Sequence, residues 1–221
     1  MKFWQMLAYM ELDQMLEAAI IAEEVGFTGV MGSDHALYPR NMESPYPYSQ
    51  DGKIFIDADT EFPDTWATTA AMAAVTKTLR FSTSIYILPL RNPLELAKAT
   101  STVSLLSNGR FILGAGIGWM REEFDNFGVD FRTRGRRMDE TIEVLNKLWQ
   151  KDWVEHRGEF FQYDGIRVSP QPRERIPIYT GGSSKAALHR AARVADGFIG
   201  HGNTPDEVPE LMHKLSELRK E

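Results

Sequence analysis

There is no cysteine among the 221 residues. That excludes disulfides, thiolate metal sites and a cysteine nucleophile. Long apolar runs are missing too, and none approaches the roughly 20 residues that a membrane-spanning helix needs. At the N-terminus a single Lys2 is followed by apolar residues that soon give way to Glu11 and Asp13, so no secretory signal is read there. Basic residues cluster only at Arg132, Arg134, Arg136 and Arg137, and the net charge is −6. Neither a nucleic-acid partner nor a membrane is therefore expected. The histidines show no metal-ligand spacing, and Ser183-Ser184 lacks a nucleophile elbow, so neither a metal centre nor a serine hydrolase is expected. A soluble cytoplasmic enzyme acting on a small molecule fits all of this. The length suits one domain or part of a larger one, and the 43% hydrophobic content suffices for a core.

The most informative stretch is Arg110–Glu123, RFILGAGIGWMREE. Phe111-Ile112-Leu113 reads as a buried strand, Gly114 to Gly118 as a tight turn, and the polar residues beyond as a helix start. Glycines without Cβ let a ligand approach the backbone, and free N–H groups at a helix start favour an anion. A phosphate-bearing cofactor and a plain packing turn both fit this pattern. The stretch is not a dinucleotide fingerprint, because the Gly-x-Gly-x-x-Gly pattern fails at Trp119.

In chain order, Lys2–Ala8 reads as a fully buried strand. Glu11–Val25 reads as a helix with Leu12, Leu16, Ala19 and Glu23 on one stripe and Gly26 at its C-cap. Phe27–Met31 is a second strand, running into Gly32-Ser33-Asp34-His35. Ala36–Pro63 holds four prolines and three tyrosines without periodicity, as a lid or binding loop would. Asp64–Thr76 is an alanine-rich helix suited to close contact within the fold or across a dimer. Leu79–Leu88 is a third strand. Asn92-Pro93 starts a helix with Leu96, Ala99, Val103 and Leu106 on one face, ended by Asn108-Gly109. Further helices are expected over Thr133–Gln150 and Lys185–Val194, strands at Ile176–Tyr179 and Gly197–Gly200, and a hairpin within Trp153–Pro172. Thr204-Pro205-Asp206-Glu207 reads as a capping box opening a last helix.

Strand and helix alternate, which means a parallel sheet. An open doubly wound sheet carries its phosphate loop after the first strand, and Ala8-Tyr9-Met10 has no glycine. Polar or glycine-rich turns instead end the second, fourth and fifth strands, as in a (β/α) barrel. The fold class expected is therefore α/β, a TIM (β/α)8-type barrel lacking the last two βα units, as one domain over 1–221 incomplete at its C-terminus.

Asp34-His35 then sits at a strand's C-terminal end, the active face of a barrel. An imidazole can take or give a proton near neutral pH, and Asp34 could orient the ring or meet a ligand hydroxyl. A capped turn with a half-buried histidine fits the same residues. Thr180-Gly181-Gly182-Ser183-Ser184 precedes a helix and reads as an anion nest or as a serine N-cap. The arginine cluster could hold phosphate or carboxylate groups, but it is expected rather to pair with Glu122, Glu123, Asp139 and Glu140. His156, His189, His201 and His213 are read as surface or packing residues.

Taken together, Ser33-Asp34-His35, the segment from Leu79 to Gly128, RGRRMDE, IPIYTGG and ADGF closely resemble the luciferase-like monooxygenase superfamily. The best match is its branch using the deazaflavin coenzyme F-420. The resemblance implies a TIM barrel with the cofactor at the C-terminal ends of the strands. It implies that His35 is the proton-transfer residue and that Ser84-Ile85 is a non-proline cis peptide behind the cofactor ring. Gly116-Ile117-Gly118 and Gly181-Gly182-Ser183 match the family's phosphate-side turns. Asp34, Trp119 and Thr180 complete the candidate cofactor-binding set. The sugar-phosphate dehydrogenases of this branch carry glutamate where Trp119 stands and tryptophan where Pro39 stands. Those departures argue against a sugar phosphate and allow Trp119 to wall an apolar substrate pocket. The reading is an oxidoreductase moving a hydride between coenzyme F-420 and a small organic substrate, as a homodimer. The alternatives are an FMN-dependent monooxygenase that reduces molecular oxygen, and a non-catalytic or truncated cofactor-binding relative.

Overall fold

The computed structural model describes residues 1–220. Its strands are β1 (Trp4–Met6), β2 (Gly29–Gly32), β3 (Arg80–Thr83), β4 (Tyr86–Ile87), β5 (Phe111–Gly116), β6 (Val154–Arg157), β7 (Gln162–Ile166), β8 (Ile178–Gly181) and β9 (Gly197–Ile199). The helices are α1 (Met15–Glu24), α2 (Thr65–Val75), α3 (Pro93–Leu106), α4 (Arg121–Asn126), α5 (Arg134–Leu148), α6 (Lys185–Val194) and α7 (Val208–Leu218). The main sheet runs β1-β2-β3-β5-β8-β9, with β4 beside β5 and every pairing parallel. Strands β3 and β4 are two halves of the expected third strand, both paired to β5 and parted by a cis peptide between Ser84 and Ile85. The result is a curled parallel half-barrel with a separate antiparallel hairpin, β6–β7.

Local signals position these elements. Asp64 Oδ1 accepts from Trp66 N and Ala67 N at 3.0 and 2.8 Å, and Asn92 Oδ1 accepts from Leu94 N at 2.9 Å. Each satisfies a helix-start donor, worth about 1 kcal/mol. Gly26 ends α1 at φ 87, and Asn108-Gly109 ends α3 with both residues in the left-handed region. Strand β5 is buried on all six residues, and helices α1, α2, α3 and α5 cover the sheet through Ala19, Met72, Leu96, Val103, Ile142 and Leu145. Full burial of each large side chain here contributes about 1.5–3 kcal/mol. On α5, Met138, Ile142, Leu145 and Trp149 are buried together, as their spacing predicts.

The structure corrects several expectations. Strand β1 is shorter than Lys2–Ala8 and is not buried: Phe3 is 59% and Met6 39% exposed. It has a strand neighbour on one side only, so half its apolar run faces outward. Leu12 and Leu16 are also exposed, and Met15, Ala19 and Ala22 form the buried face of α1 instead. Leu12–Gln14 is a 3-10 turn, and its tighter winding rotates the register before the α-helix begins. Leu106, expected on the inner face of α3, lies outside it. Helix α7 starts at Val208, with Thr204–Glu207 forming a turn in which Glu207 Oε2 accepts from Thr204 N at 2.8 Å.

The glycine stretch is corrected too. Gly114 and Gly116 belong to β5 and not to the turn after it. A Cβ on Gly114 would strike the carbonyl oxygen of Thr83, and one on Gly116 the side chain of Ile85. These glycines make room for the interruption between β3 and β4. The turn proper is Ile117–Met120, with Gly118 at φ 76. Helix α4 carries its own Glu122 and Glu123 in its first turn, so its start is already charge-compensated.

Candidate active site

The C-terminal ends of β1, β2, β4, β8 and β9 and the turn after β5 converge on a cavity of about 940 Å³. Ten sequence-nominated residues line it: Asp34, His35, Ser84, Ile85, Ile117, Gly118, Trp119, Gly181, Gly182 and Ser183. Gly116 and Thr180 do not. Gly116 packs behind Ile85, and Thr180 is enclosed in β8 beside Ala115.

The segment 36–63 has no helix or strand and crosses the cavity as a lining loop. Helix α4 anchors it. Glu122 Oε1 accepts from Glu43 N and Ser44 N at 2.6 and 2.9 Å, and Ser44 Oγ accepts from Arg121 N at 2.9 Å. The acidic residues of α4 therefore hold backbone and His35, not the arginine cluster. Arg136 pairs with Glu159, Asp139 pairs with Arg190, and Glu140 accepts from Phe160 N, Phe161 N and the buried His156. The expected pairing fails because α4 points its carboxylates at the loop while α5 faces the hairpin and α6.

His35 is oriented by Glu123 and not by Asp34. Its Nδ1 lies 3.2 Å from Glu123 Oε2, and Glu123 Oε1 accepts from Ala36 N at 2.8 Å. Glu123 is fully buried. A carboxylate can only accept, so against an ionised Glu123 it is His35 Nδ1 that carries the hydrogen, which leaves Nε2 to exchange a proton. Asp34 serves elsewhere. Its oxygens take Arg91 Nη2 at 2.7 Å and Ile87 N at 3.0 Å, which fixes the chain just beyond Ser84-Ile85. Burial pushes the Asp34 carboxyl up from its ordinary value, against the pull of Arg91 and the Ile87 N–H.

An uninterrupted line of rings runs through His35. Phe62 meets it at 5.1 Å between centroids, and Trp119 meets it at 5.8 Å from the other side. Beyond Phe62 comes Tyr9 at 5.8 Å, then Phe55 at 4.9 Å from Tyr9. Beyond Trp119 come Tyr46 at 5.2 Å, Tyr48 at 5.4 Å from Tyr46, and His201 at 4.1 Å from Tyr48. Burial pushes the Tyr9, Tyr46 and Tyr48 phenols up, so they stay uncharged.

A second region of the wall is cationic. Arg121 and Arg134 both lie over the Phe131 ring, at 4.7 and 3.8 Å, and both line the cavity. Among the described residues neither forms an ion pair, and Arg134 Nε is buried without a partner. Burial and the neighbouring Arg121 lower the Arg134 pKa. The Gly181–Ser184 turn lines the same cavity, with Gly182 at φ 114. Ser184 caps α6 by accepting from Ala187 N at 3.2 Å.

Glu123, Arg91, Arg121 and the tyrosines were not nominated as site residues from sequence, and Arg134 was raised only within the arginine cluster as an anion holder. The one signal for Glu123 is its place just after the glycine turn, in a segment that otherwise reads as an exposed acidic helix. No group of three or more metal-ligating residues occurs among the described residues. No helix of the described residues is long and apolar enough to cross a membrane.

A parallel strand–helix half-barrel with its cavity at the strands' C-terminal ends defines a protein of the TIM-barrel class. The chain belongs to the luciferase-like monooxygenase family, which it matches over residues 1–221. It is 37% identical over 222 residues to an uncharacterized protein of Mycobacterium tuberculosis, covering 100% of this chain and 76% of the relative. It is 32% identical over 189 residues to an F420-dependent glucose-6-phosphate dehydrogenase of Amycolatopsis mediterranei, covering 84% of this chain and 52% of that protein. It is 35% identical over 141 residues to an FMNH(2)-dependent dimethylsulfone monooxygenase of Pseudomonas fluorescens, covering 62% and 38%. Among solved structures, the monooxygenase RslO1 from Streptomyces bottropensis superposes with a TM-score of 0.81 at 22% identity. An F420-dependent secondary alcohol dehydrogenase superposes with a TM-score of 0.80 at 23% identity. This chain is covered completely in both, and spans 66% and 64% of those chains. The family thus contains oxidoreductases that depend on F420 and others that depend on FMN.

Proposed function

We propose that this chain is a luciferase-like oxidoreductase that moves a hydride between coenzyme F-420 and a small organic substrate. The observation that carries the reading is His35, which lines the cavity beside Ser84-Ile85 and is held from behind by the buried Glu123. The cavity's residues suit a phosphate-bearing flavin or deazaflavin. Arg121 and Arg134 offer unpaired positive charge, the buried Arg134 Nε lacks an acceptor, and the Gly181–Ser183 backbone lines the same cavity.

When bound, a deazaflavin supplies the acceptor or donor of a hydride. The protein's residues do the rest. As an alcohol becomes a carbonyl, its hydroxyl proton passes to Nε2 of His35, and in the reverse direction His35 returns it. Glu123 holds the ring in the tautomer that permits this and stabilises the imidazolium that forms. Ile85 and Trp119 wall the cavity against water.

The experiment is a paired fluorescence titration of the chain with coenzyme F-420 and with flavin mononucleotide. Micromolar binding of the deazaflavin, at least tenfold tighter than flavin mononucleotide, supports the reading. The reverse preference moves the assignment to a flavin-dependent monooxygenase using molecular oxygen. Binding of neither leaves a truncated barrel or a non-catalytic relative.

A further inference from the structure

The ring line through His35 has three properties that together describe a ligand. First, its rings come from four separate places: the turn after β1 (Tyr9), the 36–63 loop (Tyr46, Tyr48), the turn after β5 (Trp119) and the turn after β9 (His201). A local packing motif would not draw on all four. Second, from Phe55 to Tyr48 neighbouring rings meet edge to face, at interplanar angles of 70–88°. Such rings form walls and leave faces unused by one another. Substantial aromatic surface is left open, with Tyr9 40%, Tyr48 42% and Phe55 76% exposed.

Third, charge is sparse among the rings and of both signs. Asp34 is consumed by Arg91 and Ile87 N, and Glu123 by His35 and Ala36 N. The loop's own charged residues on this cavity, Glu43 and Lys53, are exposed and of opposite sign. The unpaired arginines sit around Phe131 instead. A sugar phosphate brought to the ring line would exchange hydration for aromatic carbon with only the exposed, solvent-screened Lys53 to compensate. A quaternary ammonium would find ring faces but only the exposed, solvent-screened Glu43 to balance it.

We propose that this ring-lined half of the cavity is the substrate site, and that it takes an uncharged, flat, ring-bearing alcohol or carbonyl compound. The ring stacks against Trp119 and Tyr46, and the oxygen lies at His35. The proposal rests on the function proposed above for what happens at His35, but not for the binding itself.

The test uses the chain without cofactor, so that its failure is separable from failure of the cofactor reading. Calorimetric titrations are run with acetophenone, with choline and with glucose 6-phosphate. Acetophenone is expected to bind, and to bind at least tenfold more tightly than the other two. Trp119→Ala and Tyr46→Ala are each expected to weaken acetophenone about tenfold, the effect of losing an aromatic contact with its buried area. Tyr46 stands on a loop, so its variant keeps the test valid if Trp119→Ala fails to fold. Three results would overturn the proposal: choline or glucose 6-phosphate binding as tightly as acetophenone, no acetophenone binding up to its solubility, or unchanged affinity in the folded variants. The separate titration with coenzyme F-420 decides the cofactor whichever way these results fall.

Discussion

Glu123 and His35 are 88 residues apart in sequence and 3.2 Å apart in space, carboxylate to Nδ1. Glu123 is fully buried, and its second oxygen holds Ala36 N. One carboxylate thus fixes both the ring of His35 and the chain that leaves it. A glutamine has a single acceptor oxygen and cannot serve both donors.

Glu123→Gln is therefore expected to release the ring tautomer and to cut turnover by about 10²-fold, with coenzyme affinity changed less than tenfold. His35→Asn is expected to cost about 10²–10⁴-fold, the range of general acid–base catalysis. The check on Glu123 is the nitrogen NMR spectrum of His35 across pH, alongside the pH–rate profile. An unaltered tautomer and profile in Glu123→Gln would remove Glu123 from its positioning role.

The glycines of β5 carry a structural prediction. Gly114→Ala places a methyl against the Thr83 carbonyl, which is backbone and cannot swing aside. It should destabilise the fold by about 1–3 kcal/mol through overpacking. Gly116→Ala meets the movable side chain of Ile85, so it should cost less stability and more cofactor affinity. Denaturant melts and the cofactor titration, run on both variants, read the two effects separately.

Glu23 predicts a pH dependence. Burial tends to raise its carboxyl, but the N–H groups of Thr78, Lys77 and Leu79 and the Thr78 hydroxyl outweigh burial and lower it from 4.5 to about 2. A depressed carboxylate contributes its stability fully above its unfolded value and loses it as pH falls toward its folded value. The contribution is of order 1 kcal/mol, since solvent screens this partly exposed group. Glu23→Gln should therefore lower Tm at pH 7, and the gap to the parent should close between about pH 4.5 and 2. A gap that stays constant over that window would count against this role.

Helix α2 bears on the homodimer. It lies between α1 and α3, which accounts for its buried Ala73, while Ala67, Ala71 and Ala74 remain exposed. If the homodimer forms through this face, Ala71→Arg should shift sedimentation from dimer to monomer. A concentration-independent monomer in the unmutated chain would remove the expectation.

The features legible along the chain are local or periodic. The caps at Asp64, Asn92 and Ser184, the glycine stops at Gly26 and Gly109, the buried stripe of α5 and the buried run of β5 each depend on residues within a few positions of one another. They are legible because backbone donors and a 3.6-residue period act at short range. The strand–helix alternation that places His35 at a strand's end is of the same kind. The resemblance added the cis peptide at Ser84-Ile85, which is present. Which carboxylate serves which partner depends on how the folded elements meet. Asp34 looked like the neighbour of His35, but successive residues leaving a strand point in different directions, and Asp34 went to Arg91, 57 residues on. The roles of Gly114 and Gly116, the outward Leu12 and Leu16, and the assembly of one ring line from four separate turns also follow from how strands stand beside one another. Those contacts join residues distant in the chain, and no local pattern encodes them.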